Sequence, residues 1–435
     1  MIIFLPYYVA ALALLYFELR GRCIIPRIGA PAWPAAAWIA LVVASYGVEL
    51  AIVRYAAVTV AAAMPWRHAL PVGVAEHGMA HPDAVEAALI LVAAIQSYAL
   101  VGLYRSRAPA VWVAAGSAAI IAFSILAPAT ISPDVYAYVG DALMGRQAYH
   151  PPGTRFVGAF GLIDDLFHPP LLPAPYGPLW LALAGIVTAP FSTLLGKIVA
   201  LRVFGAICYA ALIAALRAYG VPGRVLAVAA VNPAIAQQYV ADAHNDLMGI
   251  ALVVAAAALV GARRRFSGAG VTVAASLVKL PFALLALPIF AGIRSGAARY
   301  ALVAGTLALA VALSWLGGGN GYVQGLTVHV PAVAAVFFVN AAVAVAAFVL
   351  LVLATASRRR YAGAVWIVPM MSSYVATWYM TYGLPYALAR RRVLSYLLIA
   401  LPLATVLVDA KFMRPWTFAV LIGAVILSLR GRTPQ

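Results

Sequence analysis

The sequence predicts an all-α, multi-pass membrane protein of about 12 to 14 transmembrane helices, forming a single integral membrane domain over residues 1–435. Three observations predict it. Hydrophobic residues make up 66% of the chain and charged residues 9%, against roughly 25% charged in an average soluble protein. Mean hydropathy is +0.99. The apolar residues fall in long runs separated by short charged or Gly/Pro-bearing loops. A soluble fold needs a polar exterior that this chain does not possess. The same numbers exclude a disordered chain and a secreted disulfide scaffold.

Each helix is placed where an apolar run is bounded by charge or by Gly and Pro. The first covers 2–17. It has no basic segment before it, and Glu18, Arg20 and Arg22 come after it, which predicts an uncleaved span with an outside N-terminus. Next come 36–62, 85–103 and 110–131. Residues 132–175 are the one long non-apolar stretch. With 176–193, read as a partly embedded helix, they form an outer loop over 132–193 with interfacial helices inside it. A span follows at 194–218, then 225–241 and 246–261. Residues 268–293 are apolar but broken by Lys279 and Pro281, which predicts two short helices meeting at the lysine. Further spans are read at 299–316, 328–354, 363–378, 393–409 and 415–430, with 379–390 open to either reading.

The formal net charge is +17. Arginines cluster in short loops, such as Arg105 with Arg107, Arg263 to Arg265 and Arg358 to Arg360. That is the positive-inside pattern and fits anionic lipid. No basic-aromatic patch or zinc-finger spacing supports nucleic-acid binding, so no nucleic-acid partner is expected. Cys23 and Cys208 lie far apart and support neither a disulfide framework nor a cysteine metal site. With the arginine loops placed in the cytoplasm, most acids and all histidines fall at or near the opposite face. The reactive side chains are thereby concentrated on one side.

Asp134 directly follows a long apolar run, so its carboxylate sits at or near membrane depth, where ionisable groups tend to be functional. It reads as a catalytic group. The alternative is that Ser132 or Asp134 caps a helix over 134–145. Asp141 lies two helical turns on and shares a face with Asp134, or else pairs with Arg146 or Arg155 in solvent. Asp164 and Asp165 form a pair that could bind a metal or a sugar hydroxyl, but alone it reads as a solvated turn. A second polar island, Asp242-Ala-His244-Asn245-Asp246, interrupts an apolar stretch. Its donors and acceptors suit sugar hydroxyls, or a phosphate for the histidine. Asn245 or Asp246 is also placed to cap the next helix. Lys279, one of three lysines, either holds an anion such as phosphate or snorkels to the headgroups. Trp378 and Tyr379 are either an interfacial belt or a platform for sugar faces.

The segments Asp134-Val-Tyr136-Ala-Tyr138, Tyr149-His-Pro and Pro173-Ala-Pro-Tyr176-Gly-Pro-Leu resemble those of the multi-spanning GT-C glycosyltransferases. The resemblance is to the polyprenyl-phosphate-mannose-dependent α-mannosyltransferases of prokaryotic envelopes. Asn232-Pro233 ahead of His244-Asn245-Asp246, Lys279 with Pro281, and Trp378-Tyr379 come in the same order, over roughly residues 110–390. The chain departs at Tyr149-His150-Pro151-Pro152, where such proteins carry Asn-Pro-Tyr or Asp-Pro-Tyr. That departure bears on the acceptor or the sugar more than on the fold.

The resemblance implies a GT-C fold with a long first catalytic outer loop. It implies transfer of a sugar, with mannose favoured, from a polyprenyl-phosphate (dolichyl-type) donor to a glycan or glycolipid acceptor. The reaction would invert the anomeric carbon at the extracytoplasmic face of the cell membrane. Such chemistry needs a base for the acceptor hydroxyl and positive groups for the departing phosphate. Asp134 would be the base. Lys279, His244, Arg146 and Arg155 would hold the phosphate. Tyr136, Tyr138, Asp141, Tyr176, Asn245, Asp246, Trp378 and Tyr379 would bind sugar or acceptor. The leaving group has no pyrophosphate to chelate, so neither metal nor cofactor is expected. The competing reading is a lipid or solute transporter with Lys279 at a midplane site; it finds no inverted repeat in the sequence.

Overall fold

The computed structural model describes residues 31–63, 82–127, 132–151, 156–167, 171–328 and 397–409, with Val345, Pro385 and Ala389. The spans expected at 2–17, 363–378 and 415–430, and almost all of 328–354 and 379–390, lie outside these residues. Among the described residues there is no strand.

Helix α1 (Ala35–Ala63) and α2 (Pro82–Arg105) pack side by side, with α3 (Ala110–Leu126) against α1. At 29 residues, α1 is about 44 Å long and exceeds a bilayer core of about 30 Å. α3 stops short of the expected residue 131. Pro128 comes next, and the residue before a proline is driven out of the α region; Ala127 is extended, at φ −71° and ψ 152°.

The segment 132–193, expected as the outer loop, carries α4 (Asp134–Met144), α5 (Gly161–Phe167) and α6 (Pro178–Thr188). α6 has 11 residues, about 16 Å, and is too short to cross. α7 (Leu194–Ala218) matches the expected span. The Thr193 hydroxyl caps it by accepting the Gly196 N–H at 3.1 Å.

The single span expected at 225–241 is corrected by the structure. It is α8 (Gly223–Ala230), a short α9 (Pro233–Ala236) and a π turn at Gln237–Ala241. Pro233 supplies no N–H and biases Asn232 away from the helix. Asn232 instead caps α9 by accepting the Ala234 N–H. The chain then bends by 115° into α10 (Asp246–Gly261).

α11 (Arg265–Val278) ends at Lys279, which is extended at φ −155° and ψ 117°. A 3₁₀ turn over Leu280–Leu285 and α12 (Ala286–Phe290) come after it. Two short helical pieces therefore meet at the lysine, as the sequence predicts. α13 (Gly296–Val328) runs past the expected end at 316 and bears a break at Gly319. α14 (Leu397–Asp409) packs on α2.

Four described helices are long and apolar enough to cross a membrane, and the bent pair α9–α10 would be a fifth. The protein is an all-α polytopic membrane protein. One buried cluster, including Trp38, Tyr46, Tyr209, Tyr239 and Phe290, joins α1, α2, α3, α7, α8 and α10. In lipid, apolar surface gives little drive to association, so tight packing and buried hydrogen bonds carry it. The Tyr46 hydroxyl meets Ser124 Oγ at 2.8 Å, joining α1 to α3. Gln96 Nε2 donates to Glu49 Oε2 at 2.6 Å, joining α2 to α1. A second cluster, with Val135, Tyr138, Trp180, Leu201, Val278 and Tyr322, seats the outer loop on α7, α11 and α13.

Candidate active site

The outer loop is stitched down by its own backbone. The Ala174 N–H donates to the Ala148 carbonyl at 2.8 Å, and the Gly177 N–H to the Val278 carbonyl at 2.8 Å. The Tyr149 hydroxyl donates to the Tyr176 carbonyl at 2.9 Å. The Tyr322 hydroxyl accepts from the Leu280 N–H at 3.2 Å. Asp164 belongs to this stitching: its Oδ2 accepts the Phe156 N–H at 2.7 Å. The loop thus lies directly against the chain that carries Lys279.

Gly177 permits this approach. A Cβ there would stand 2.1 Å from the Leu277 carbonyl oxygen, a backbone atom that has no side-chain rotamer to yield. Gly177→Ala is expected to push the loop off α11 and to cost about 1–3 kcal/mol. A melting temperature in detergent lowered by several degrees would show it; an unchanged one would contradict it.

Four charged side chains converge where α4, the α9–α10 break and the α11 terminus meet. Ser132 Oγ accepts the N–H of Asp134 at 3.2 Å. That satisfies one of the N–H groups left open at the start of α4. His244 Nδ1 stands 3.4 Å from Asp134 Oδ2. The histidine side chain is fully buried and the aspartate 28% exposed, so the carboxylate has one side toward His244 and another toward the opening. Lys279 Nζ donates to Asp246 Oδ1 at 3.0 Å. Asp246 begins α10 and Lys279 ends α11, so each charge also suits the dipole of its own helix end. The anionic partner that a half-buried lysine requires is Asp246.

Burial would raise the Asp134 carboxyl, but the hydrogen bond and charge of His244, with Ser132 and Lys279, hold it below its ordinary value. It is therefore ionised at neutral pH, as an acceptor-only group. Asp141 behaves oppositely. Burial, and next the charge of Asp134, push its carboxyl from 3.8 up to about 8. The folded protein keeps a proton there that the unfolded chain releases. The stability from that proton is full below pH 3.8 and is lost as pH rises through about 8. Asp141→Asn, neutral at every pH, is expected to raise the melting temperature, by a margin that grows between about pH 4 and about pH 8. A margin independent of pH would contradict this assignment.

The remaining expected residues divide. Tyr138 lies edge-on to both Tyr176 and Trp180, with ring centroids 5.1 Å apart in each case. Both polar atoms of the Asn245 amide, Nδ2 and Oδ1, are buried without a hydrogen-bond partner among the described residues. The capping bond that Asn245 is placed to make is not formed. Tyr136 is buried, within electrostatic reach of Arg202 and Asp242. Arg146 is at the rim of the loop, where its guanidinium donates to the Leu316 carbonyl at 3.3 Å. Arg155, Trp378 and Tyr379 lie outside the described residues. Among the described residues no group of three or more His, Cys, Asp or Glu side chains is arranged to hold a metal ion.

Sequence reasoning did not single out Tyr322, Gly177 or Arg202. Tyr322 and Gly177 carry no local signal, since each matters for a partner distant in the chain. Arg202 had one: an arginine inside an apolar span is costly and tends to be functional.

Comparison with known families places residues 35–297 in alpha-(1→6)-mannopyranosyltransferase, N-terminal domain. No curated protein and no solved structure matches the chain. The matched segment begins at α1 and runs to the start of α13, covering well over half of the chain and all four converging charges. The chain belongs to the MptA/B family, whose description is alpha-(1→6)-mannopyranosyltransferase, and is an α-mannosyltransferase of the membrane.

Proposed function

We propose that the site at Asp134 transfers mannose from a polyprenyl-phosphate donor to a glycan or glycolipid acceptor. The observation that carries this reading is the convergence of Asp134, His244, Asp246 and Lys279 beside the bilayer-spanning helices. An ionised carboxylate with one open side is the group a base needs. Cationic partners alongside are what a phosphate needs.

In the proposed step the acceptor hydroxyl oxygen attacks the anomeric carbon. The bond from that carbon to the phosphate oxygen breaks, and its electron pair leaves with the phosphate. The hydroxyl proton passes to Asp134. Attack opposite the leaving group inverts the anomeric centre. The phosphodiester carries one negative charge and the departing phosphate gains a second. Lys279 and His244 face that developing charge, where a fixed cation contributes most. Arg146 reaches it from the rim. The Asn245 amide and Asp246 offer donors and acceptors to sugar hydroxyls. Tyr176, backed by the buried Tyr138, offers a wall for the sugar ring, and the protonated Asp141 adds a donor further along α4. A site of this kind belongs on the extracytoplasmic face, opposite the arginine-rich loops, with the carrier's lipid tail in the bilayer.

The test gives purified protein in liposomes radiolabelled polyprenyl-phosphate mannose and, separately, a nucleotide-linked mannose, with a membrane glycolipid extract as acceptor. Label reaching glycolipid from the polyprenyl donor alone supports the proposal. Transfer from the nucleotide sugar alone would overturn the donor. Neither binding nor transfer of any polyprenyl-phosphate sugar would favour the transporter.

A further inference from the structure

We propose that Arg202 is a positioning residue for this reaction, clamping the two chain segments that deliver Asp134 and His244. The inference rests on the transferase reading above. Arg202 lies in α7 and is 5% exposed. Its Nε donates to the Ala241 carbonyl at 2.7 Å, and its NH1 to the Ile125 carbonyl at 3.1 Å.

Both acceptors are at helix ends. Ile125 is in the last turn of α3, and Ala241 is the last residue of the π turn. Carbonyls there have no partner within their own helix, and a cation suits the negative end of each dipole. Asp242, fully buried, is within electrostatic reach of the same guanidinium. One side chain therefore closes two helices and sits beside a carboxylate.

The Ala241 carbonyl lies three residues before His244 in the chain, and the Ile125 carbonyl nine before Asp134. Beyond Ile125 the chain leads to Ser132 and Asp134. Beyond Ala241 it passes Asp242 and Ala243 to His244. Ala243 has φ +55°, a left-handed conformation that a residue with a Cβ adopts at a cost. That turn lies within the 115° bend between Ala241 and Asp246, just before His244, and it persists only where its surroundings fix it.

α7 is shaped for the clamp. Gly205 lies one turn from Arg202 on the same face. A Cβ at Gly205 would stand 2.6 Å from the Tyr239 carbonyl oxygen. Its absence lets α7 approach the π turn closely enough for the guanidinium to reach Ala241. A lysine cannot substitute: its single ammonium cannot span two diverging carbonyls as the planar fork of arginine does.

The experiment is a double-mutant cycle with full-length protein in liposomes. R202K and R202Q are each made alone and combined with H244A, and kcat and the donor KM are measured. A misplacement of about 1 Å costs on the order of 100-fold in rate. The expected result is a kcat lowered about 10- to 100-fold, a raised donor KM as His244 shifts from the phosphate, and a smaller further loss once His244 is gone. Equal loss with and without His244, or unchanged kcat in folded R202K, would overturn the role. Failure of both variants to fold would also overturn it, since Arg202 would then be a structural post. Absence of transfer by the wild-type protein would instead count against the transferase reading itself.

Discussion

Replacing Asp134 by asparagine is expected to lower kcat for mannosyl transfer by about 10²- to 10⁴-fold, the usual contribution of a positioned base. The substitution keeps the shape of the side chain. It also keeps the backbone N–H that donates to Ser132 Oγ, so the start of α4 survives. What it removes is the charge 3.4 Å from His244 and the capacity to take a proton. Donor binding, measured by retention of labelled polyprenyl-phosphate mannose, should persist, because in the proposed site the phosphate is held by Lys279 and His244. A turnover equal to wild type would remove Asp134 from the chemistry. A loss of binding without a loss of kcat would make Asp134 a ground-state ligand.

Lys279→Met is expected to have the second-largest effect, and it acts twice. The departing phosphate gains charge beside the ammonium, so losing it lowers kcat by about 10²- to 10³-fold, as for other single donors to a developing anion. The same change strands Asp246, whose side chain is 2% exposed. Breaking such a pair costs about 3 kcal/mol, at the low end because the lysine keeps some solvent contact. The two effects separate in the double variant Lys279→Met with Asp246→Asn. The second change removes the stranded charge and is expected to restore the melting temperature while transfer stays low. Recovery of transfer in the double variant would show that Lys279 serves only to neutralise Asp246.

These two residues also show how far the sequence could be read. Asp134 and Lys279 stand out because ionisable groups are scarce in this chain and expensive in lipid. Each is legible from its immediate neighbours. Their partners are not. Asp134 is paired with a histidine more than a hundred residues later, across the bend beyond Ala241. The sequence offers both Ser132 and Asp134 as caps for α4; that Ser132 Oγ accepts the Asp134 N–H is seen only in the structure. Asn232-Pro233 is visible as a break signal, yet 225–241 still reads as one apolar span, because hydropathy counts side chains and not backbone direction. Arg202 passed as part of an apolar run; its meaning lies in two carbonyls from other helices.

Composition and the spacing of apolar runs were enough to specify the membrane environment, most of the described helix limits, the long polar loop and the identity of its chemical groups. All of these are local properties of the chain. Which groups meet was settled by packing alone. It brought the ends of α3 and the π turn onto one guanidinium, set the left-handed turn at Ala243 and laid the loop against Leu277 and Val278. A charge or an unpaired carbonyl buried among apolar helices must find its partner wherever the packing supplies one. Sequence distance does not enter that requirement.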